Sequence, residues 1–370
     1  MKKEEKRLVS LRLVLAVQQH GNANFTGYII QVLNLLSDGP HELKPSLLYG
    51  FMKAGSANKD RVEKFLASYI ATQTDPDTLH AISVLEESLP ALLQPGEYGG
   101  PTDIDVEKRM TELNQMLNTV WYQCPTKVWS PKIPNKPQAL FKDDKSGRAW
   151  IINEKGLNEL SALPSHLDYD YKFEMSFYGE HPVIAVGLQR TLRADPYYKG
   201  SYGLYLALHE GFHHFVQSGS WQRESNGQRG DRFPGVIQAR YYRRMAYENL
   251  KKAVLEGGRS EFVKKAAYWY GKWKSEFAGE VPQVVDRHEG TAMYYDVMAV
   301  ARAHKGCGAS NNDVLAFIQT NYDMFFETPT DTDKEGYNIG GLSGVLLWTQ
   351  GKSNWQTRVV GGLSPVDILF

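Results

Sequence analysis

The segment that most limits what this chain can fold into is residues 202–217, YGLYLALHEGFHHFVQ. Leu204, Leu206, Ala207, Leu208, Phe212, Phe215 and Val216 leave no wide polar face, so a helix here is predicted to be buried on several sides. Yet it carries His209, Glu210 and His213 in the spacing HExxH. Helical residues four apart share a face, so the two imidazoles aim at one point. Burying two imidazoles and a carboxylate is costly unless something compensates them, and a metal ion does so directly. Imidazole pairs suit zinc, and the intervening Glu210 suits a general base for water. His214 is rotated off the shared face and is read as a supporting or core histidine.

A catalytic zinc takes three protein ligands and leaves one position open. The candidate third ligand is Glu289, in VVDRHEGTAMYYD over residues 284–296. The small residues Gly290, Thr291 and Ala292 predict a close approach of this helix to the HExxH helix. Asp296, two turns on, shares the Glu289 face and is placed to accept a hydrogen bond from the outer nitrogen of a ligand histidine. Asp286 is the alternative for that task, and His288 is the rival third ligand.

HExxH on one helix with a downstream glutamate on another resembles the gluzincin type of zincin metallopeptidase. The resemblance runs from His209 to Asp296. It implies that His209, His213 and Glu289 hold one zinc ion, that Glu210 is the general base, and that the substrate is a peptide or protein. From His213 to Glu289 the separation is 289 − 213 = 76 residues, longer than in the best-known members. An inserted helical hairpin is expected to fill it. Residues 336–348, GYNIGGLSGVLLW, look like the YxxG opening of a helix found in several helical metallopeptidases. There a tyrosine near the metal donates a hydrogen bond to the tetrahedral intermediate, which implies that role for Tyr337; Tyr294, Tyr295 and His288 compete for it. Two other readings fit the motif. One is a zincin-like binding or scaffold protein with a structural metal closed by a fourth ligand. The other is a zinc hydrolase acting on non-peptide amides or esters.

Composition narrows the classes further. Lys+Arg and Asp+Glu are both 42, so the chain has no basic footprint and nucleic acid is not an expected partner. At 42% hydrophobic residues the chain can build a substantial core. Cys124 and Cys307 allow one disulfide or none, and are too few for a metal cluster. Near the N-terminus, basic residues 2–7 precede the apolar run 8–17, but Glu4, Glu5 and Arg12 interrupt the pattern of a signal peptide. An amphipathic first helix and a cytoplasmic location are expected. No apolar run is long enough to span a membrane.

The fold class expected is mainly α with a small β subdomain (α+β), with a zincin-like catalytic domain. Three regions are expected: an N-terminal helical region over 1–125, a β-containing subdomain over 126–198, and a helical catalytic region over 199–370. Helical spacing marks 25–36, 59–72, 77–93 and 105–122, the last capped by Asp103 or Asp105. A connector rich in proline follows, then strands at 149–152, 169–178 and 183–188, the last the best candidate for a buried strand. In zincins a sheet before the HExxH helix binds extended substrate along its edge strand. The HExxH helix is expected to end near Ser218-Gly219. Beyond it the pattern gives a polar loop at 222–235, a hairpin of helices at 236–256 and 260–278, the third-ligand helix at 282–304, and a helix at 311–326 capped by Ser310 or Asn311. Residues 327–335, with Asp331, Asp333 and Glu335, read as a solvated acidic loop. Arg240, Arg243 and Arg244 read as a solvated helix face, with a carboxylate-binding patch as the alternative.

Overall fold

The computed structural model describes residues 105–131, 133, 136–143, 145–167, 173–188, 202–218, 221, 237–326, 329 and 332–370. The expected helices at 25–36, 59–72 and 77–93, the amphipathic first helix and the polar loop 222–235 lie outside the described residues. The chain divides into two units. One comprises 1–98, 230–244 and 330–332; the other comprises 99–229, 245–329 and 333–370. The first contributes only 237–244 and 332 to the described residues. The sheet, the HExxH helix and the third-ligand helix all belong to the second.

Helix α1 (Val106–Asn118) starts at Asp105, whose carboxylate accepts from the Lys108 amide at 3.0 Å, and buries Met110, Leu113 and Leu117 along one face. It widens into a π-helical turn at Thr119–Gln123, and a short helix α2 (Pro125–Val128) opens on proline, where no amide hydrogen is needed.

Five strands follow: β1 (Ala139–Lys142), β2 (Ala149–Asn153), β3 (Gly156–Glu159), β4 (Phe173–Tyr178) and β5 (His181–Gly187). They form one mixed sheet in the order β3-β2-β1-β5-β4. β1 and β5 run parallel, with Ala139 opposite Ile184; the other neighbours are antiparallel. The fold is α+β. Strand β5 matches the expectation of a buried strand. Val183 and Ala185 pack with Leu140, Ala149, Ile151 and Leu167, while Ile184 faces the HExxH helix near Gly211. β5 is interior, and the edges are β3 and β4. Strands β1 and β3 were not expected. β1 is only four residues long and buried throughout, so it shows no alternation, and β3, with the sequence GLNE, exists because β2 offers it a pairing edge.

Helix α3 (Tyr202–Phe212) carries HExxH and buries every residue but Glu210, which is half-buried. It continues as a π-helical turn, His213–Gln217, closed by the Ser218 amide on the His213 carbonyl at 2.9 Å. Helices α4 (Ile237–Leu255) and α5 (Ser260–Glu276) form the expected pair. Tyr241, Tyr242, Arg243 and Arg244 are buried, which overturns the solvated-face expectation.

The third-ligand helix starts later than its apolar pattern predicts. Residues 278–283 form a 3₁₀ turn and Val284 is extended, so α6 spans His288–Lys305 and Glu289 sits in its first turn. Pro282 contributes no amide hydrogen to a longer helix. Helix α7 (Asn311–Asn321) is capped by Ser310 in a reciprocal pair with Asp313. The remaining helices are α8 (Asp323–Phe326), α9 (Thr332–Thr349), α10 (Trp355–Val360) and α11 (Pro365–Leu369). Asp333 and Glu335 lie in the first turn of α9 and Glu335 is buried, so residues 332–335 are not part of a solvated loop; 327, 328, 330 and 331 are outside the described residues. A disulfide joins Cys124, after the first π turn, to Cys307, just past the end of α6. Among the described residues, no helix is long and apolar enough to cross a membrane.

Candidate metal centre

Three side chains from two helices meet inside the second unit. His209 of α3, His213 at the start of the π-helical turn that continues it, and Glu289 of α6 are all buried, and each offers one ligand atom to a common point. His209 Nε2 lies 3.2 Å from His213 Nε2 and 3.3 Å from Glu289 Oε2, and His213 Nε2 lies 3.0 Å from the same carboxylate oxygen. Two ligands about 2.0–2.1 Å from a tetrahedral zinc stand about 3.3–3.4 Å apart. The three atoms are therefore spaced as such an ion needs.

The outer face of each imidazole decides which nitrogen points inward. His209 Nδ1 meets Asp296 Oδ2 at 2.8 Å, and His213 Nδ1 meets Gln217 Oε1 at 2.5 Å. The orientation of Gln217 is itself determined. Its Nε2 donates to the His288 carbonyl at 2.9 Å, which leaves its oxygen toward His213. With acceptors on their outer faces, both rings place hydrogen on Nδ1 and turn Nε2 toward Glu289. Two ring nitrogens and a carboxylate oxygen facing one another in a buried space are compensated by a cation, either a proton on a ring nitrogen or a metal ion.

The electrostatics agree. Burial by itself lowers the pKa of His209, but hydrogen bonds to Asp296 and Glu289 outweigh it and raise the value to about 10. Burial raises Glu289, and its bonds to His209 and His213 override that and hold it far below the usual carboxylate range. Asp296 is pushed up to about 6, chiefly by burial, with the bond to His209 opposing. The centre favours positive charge.

Of the other residues singled out in the sequence, some come to this centre and some do not. Glu210 follows His209 on α3 and stays half-buried outside the ligand set. Tyr337, half-buried on α9, stacks on the His209 ring with centroids 5.3 Å apart and planes 7° from parallel. His288 stacks on His213 at 4.7 Å but contributes no ligand atom to the cluster. Tyr294 does not reach the centre. It is buried against Gly344 and Trp355, with its hydroxyl 3.5 Å from Gln356 Nε2, and burial raises its pKa. Tyr295 stacks on Phe212 in the core at 4.6 Å. The described partner of His209 is Asp296 and not Asp286. His214 points to the sheet, its Nε2 3.0 Å from the Ser176 carbonyl on β4.

The third-ligand helix packs closely on the HExxH helix, as expected, but Gly290 has a different neighbour from the one expected. A Cβ on Gly290 would lie 2.5 Å from the Gly340 Cα, and one on Gly340 would lie 2.1 Å from the Asp286 carbonyl oxygen. Gly290 therefore admits α9, the helix that carries Tyr337, and not α3. Three contributors had not been anticipated: Gln217, Tyr205, which stacks on His209 at 5.3 Å, and Tyr322, whose hydroxyl is 3.5 Å from Asp296 Oδ1. Gln217 had a signal, since it follows His213 by four residues and so shares its face. Tyr322, from beyond α6, had none.

Compared with models of known protein families, with curated proteins and with solved structures, the chain finds no match.

Proposed function

We propose that the chain is a zinc-dependent metallopeptidase of zincin type, with His209, His213 and Glu289 holding one zinc ion. The observation that carries this reading is the convergence of two Nε2 lone pairs and one carboxylate oxygen, with both outer ring nitrogens already bonded to acceptors. A zinc ion held there supplies Lewis-acid polarisation and lowers the pKa of a water that it binds toward about 7.

The chain's own groups do the rest. Glu210 sits on the ligand helix without being a ligand, half-exposed, where a base can take a proton from water and hand it to the leaving amine. Tyr337, held against the His209 ring, is the candidate hydrogen-bond donor to the oxyanion, with His288 as the other candidate. Strand β4 is a sheet edge beside the ligand helix and exposes Met175 and Phe177, so an extended peptide has an edge on which to add.

The test is metal content by elemental analysis, together with hydrolysis of a peptide library with and without a chelator. Stoichiometric zinc and chelator-sensitive cleavage are expected. Glu210→Gln is expected to keep the zinc and lose about 10²–10⁴-fold in rate. Full activity in a zinc-loaded Glu210→Gln protein would falsify the base assignment. Cleavage of amide or ester probes with no peptide cleavage would redirect the reading to a non-peptide hydrolase. Zinc binding without any turnover would redirect it to a structural metal.

A further inference from the structure

The two histidines are supported unequally. His209 leans on a carboxylate from the neighbouring helix, whereas His213 leans on a neutral amide from its own helix, Gln217, which is 2% exposed. Gln217 uses both ends. Its oxygen accepts from His213 Nδ1 at 2.5 Å, and its nitrogen donates to the carbonyl of His288 at 2.9 Å. His288 is the residue before Glu289. One side chain therefore touches the second histidine of the motif and the backbone that launches the glutamate.

The π-helical turn His213–Gln217 is part of this arrangement. It begins at the ligand and ends at the glutamine, and the next amide closes it on the His213 carbonyl at 2.9 Å. A wide turn at that point is a departure from α geometry of the kind that accompanies functional sites. A carboxylate at position 217 would offer His213 an acceptor but no amide hydrogen for the His288 carbonyl. A lysine would offer donors and no acceptor. Among side chains of this length, only a primary amide serves both partners while adding no charge to a buried space.

We propose that Gln217 is a positioning residue of the centre: it holds His213 in the Nδ1–H tautomer, so that the Nε2 lone pair faces Glu289, and it ties the first turn of α6 to the end of the HExxH helix. The tautomer part concerns the protein alone. The consequence for metal affinity rests on the reading of the centre as a zinc site.

The experiment uses the full chain stripped of metal by a chelator. Two-bond ¹H–¹⁵N correlations of the imidazoles report the tautomer of each histidine. Wild type is expected to show His213 as Nδ1–H. Gln217→Met keeps the length and removes both polar ends; it is expected to lose that preference. Zinc and cobalt(II) affinities, measured by competition with a chromophoric chelator, are expected to fall 10- to 100-fold in the same variant. Gln217→Glu keeps an acceptor and is expected to retain the tautomer, a rescue that packing alone does not account for. Melting temperature identifies any variant that fails to fold, and the wild-type and Gln217→Glu tautomers then decide the case. An Nε2–H tautomer in wild type overturns the proposal, as does a folded Gln217→Met protein with unchanged tautomer and affinity. If the wild-type tautomer is as expected but neither metal binds, the zinc reading fails and the positioning role stands.

Discussion

Asp296 gives His209 a negative partner, and the charges at the centre then balance. A divalent ion held against Glu289 and Asp296, with two neutral imidazoles, would sum to zero among these buried side chains. Replacing Asp296 with alanine removes the acceptor for Nδ1 and leaves the ring free to turn. Zinc affinity is expected to drop 10- to 100-fold, read by chelator competition. Asp296→Asn keeps an acceptor oxygen and is expected to lose less. A proton competes for the same place. His209 in the folded, metal-free chain titrates near 10 against an ordinary 6.5, so its proton stabilises the fold fully below about 6.5 and that contribution is lost as pH rises through about 10. Between those values a zinc ion bound at His209 would have to displace a proton. Apparent zinc affinity is expected to climb as pH increases across that window, by up to about tenfold per unit for one proton released. An affinity that stays flat or falls over the window would show that His209 is not the group displaced.

At the scale of elements, the centre depends on how closely helices meet. Helix α9 brings Tyr337 onto His209 because Gly290, Gly336 and Gly340 let its backbone rest on the start of α6. Gly340→Ala places a methyl carbon within 2.1 Å of the Asp286 carbonyl oxygen, so the two helices must separate. A loss of about 1–3 kcal/mol is expected in urea denaturation, with weaker zinc binding because Glu289 is carried on the displaced helix. Gly271 in α5 offers the contrast. It is exposed, and a Cβ there meets nothing within 4 Å. Gly271→Ala is expected to raise stability by about 0.4–1 kcal/mol by restricting the unfolded chain and improving helix propensity. If Gly340→Ala proves neutral, the packing account of α6 and α9 is wrong.

Across the whole molecule, one covalent link encloses most of what has been described. The Cys124–Cys307 bond spans 183 residues, and the sheet, the HExxH helix, helices α4 and α5 and all of α6 lie between its ends. A cross-link around so long a segment acts mainly on the unfolded chain. Reduction, or a double Cys→Ser substitution, is expected to cost about 2–5 kcal/mol, measured as the shift in denaturation with and without reductant. Because Cys307 follows the end of α6, the reduced protein is also expected to bind zinc more weakly than the oxidised one.

What the sequence determined alone is what local rules govern. The i,i+4 spacing of His209 and His213 puts two imidazoles on one face of any helix, and the apolar flanks require that helix to be buried. The same kind of rule located helices α4 and α5 and strand β5, and narrowed two caps to neighbouring candidates, of which the fold uses Asp105 and Ser310. The tertiary structure decided everything that depends on residues far apart in the chain. It brought Glu289 across 76 residues to the two histidines, chose Asp296 over Asp286, turned Tyr294 into the core and Tyr337 onto His209, and gave Gly290 its true neighbour. It also created β1 and β3, whose short segments have no periodicity of their own and become strands only when a partner edge is present. Periodicity fixes the direction of a side chain relative to its own helix or strand. Which other element waits in that direction is settled by packing, where burial of apolar surface and satisfaction of every buried polar atom select one arrangement among many.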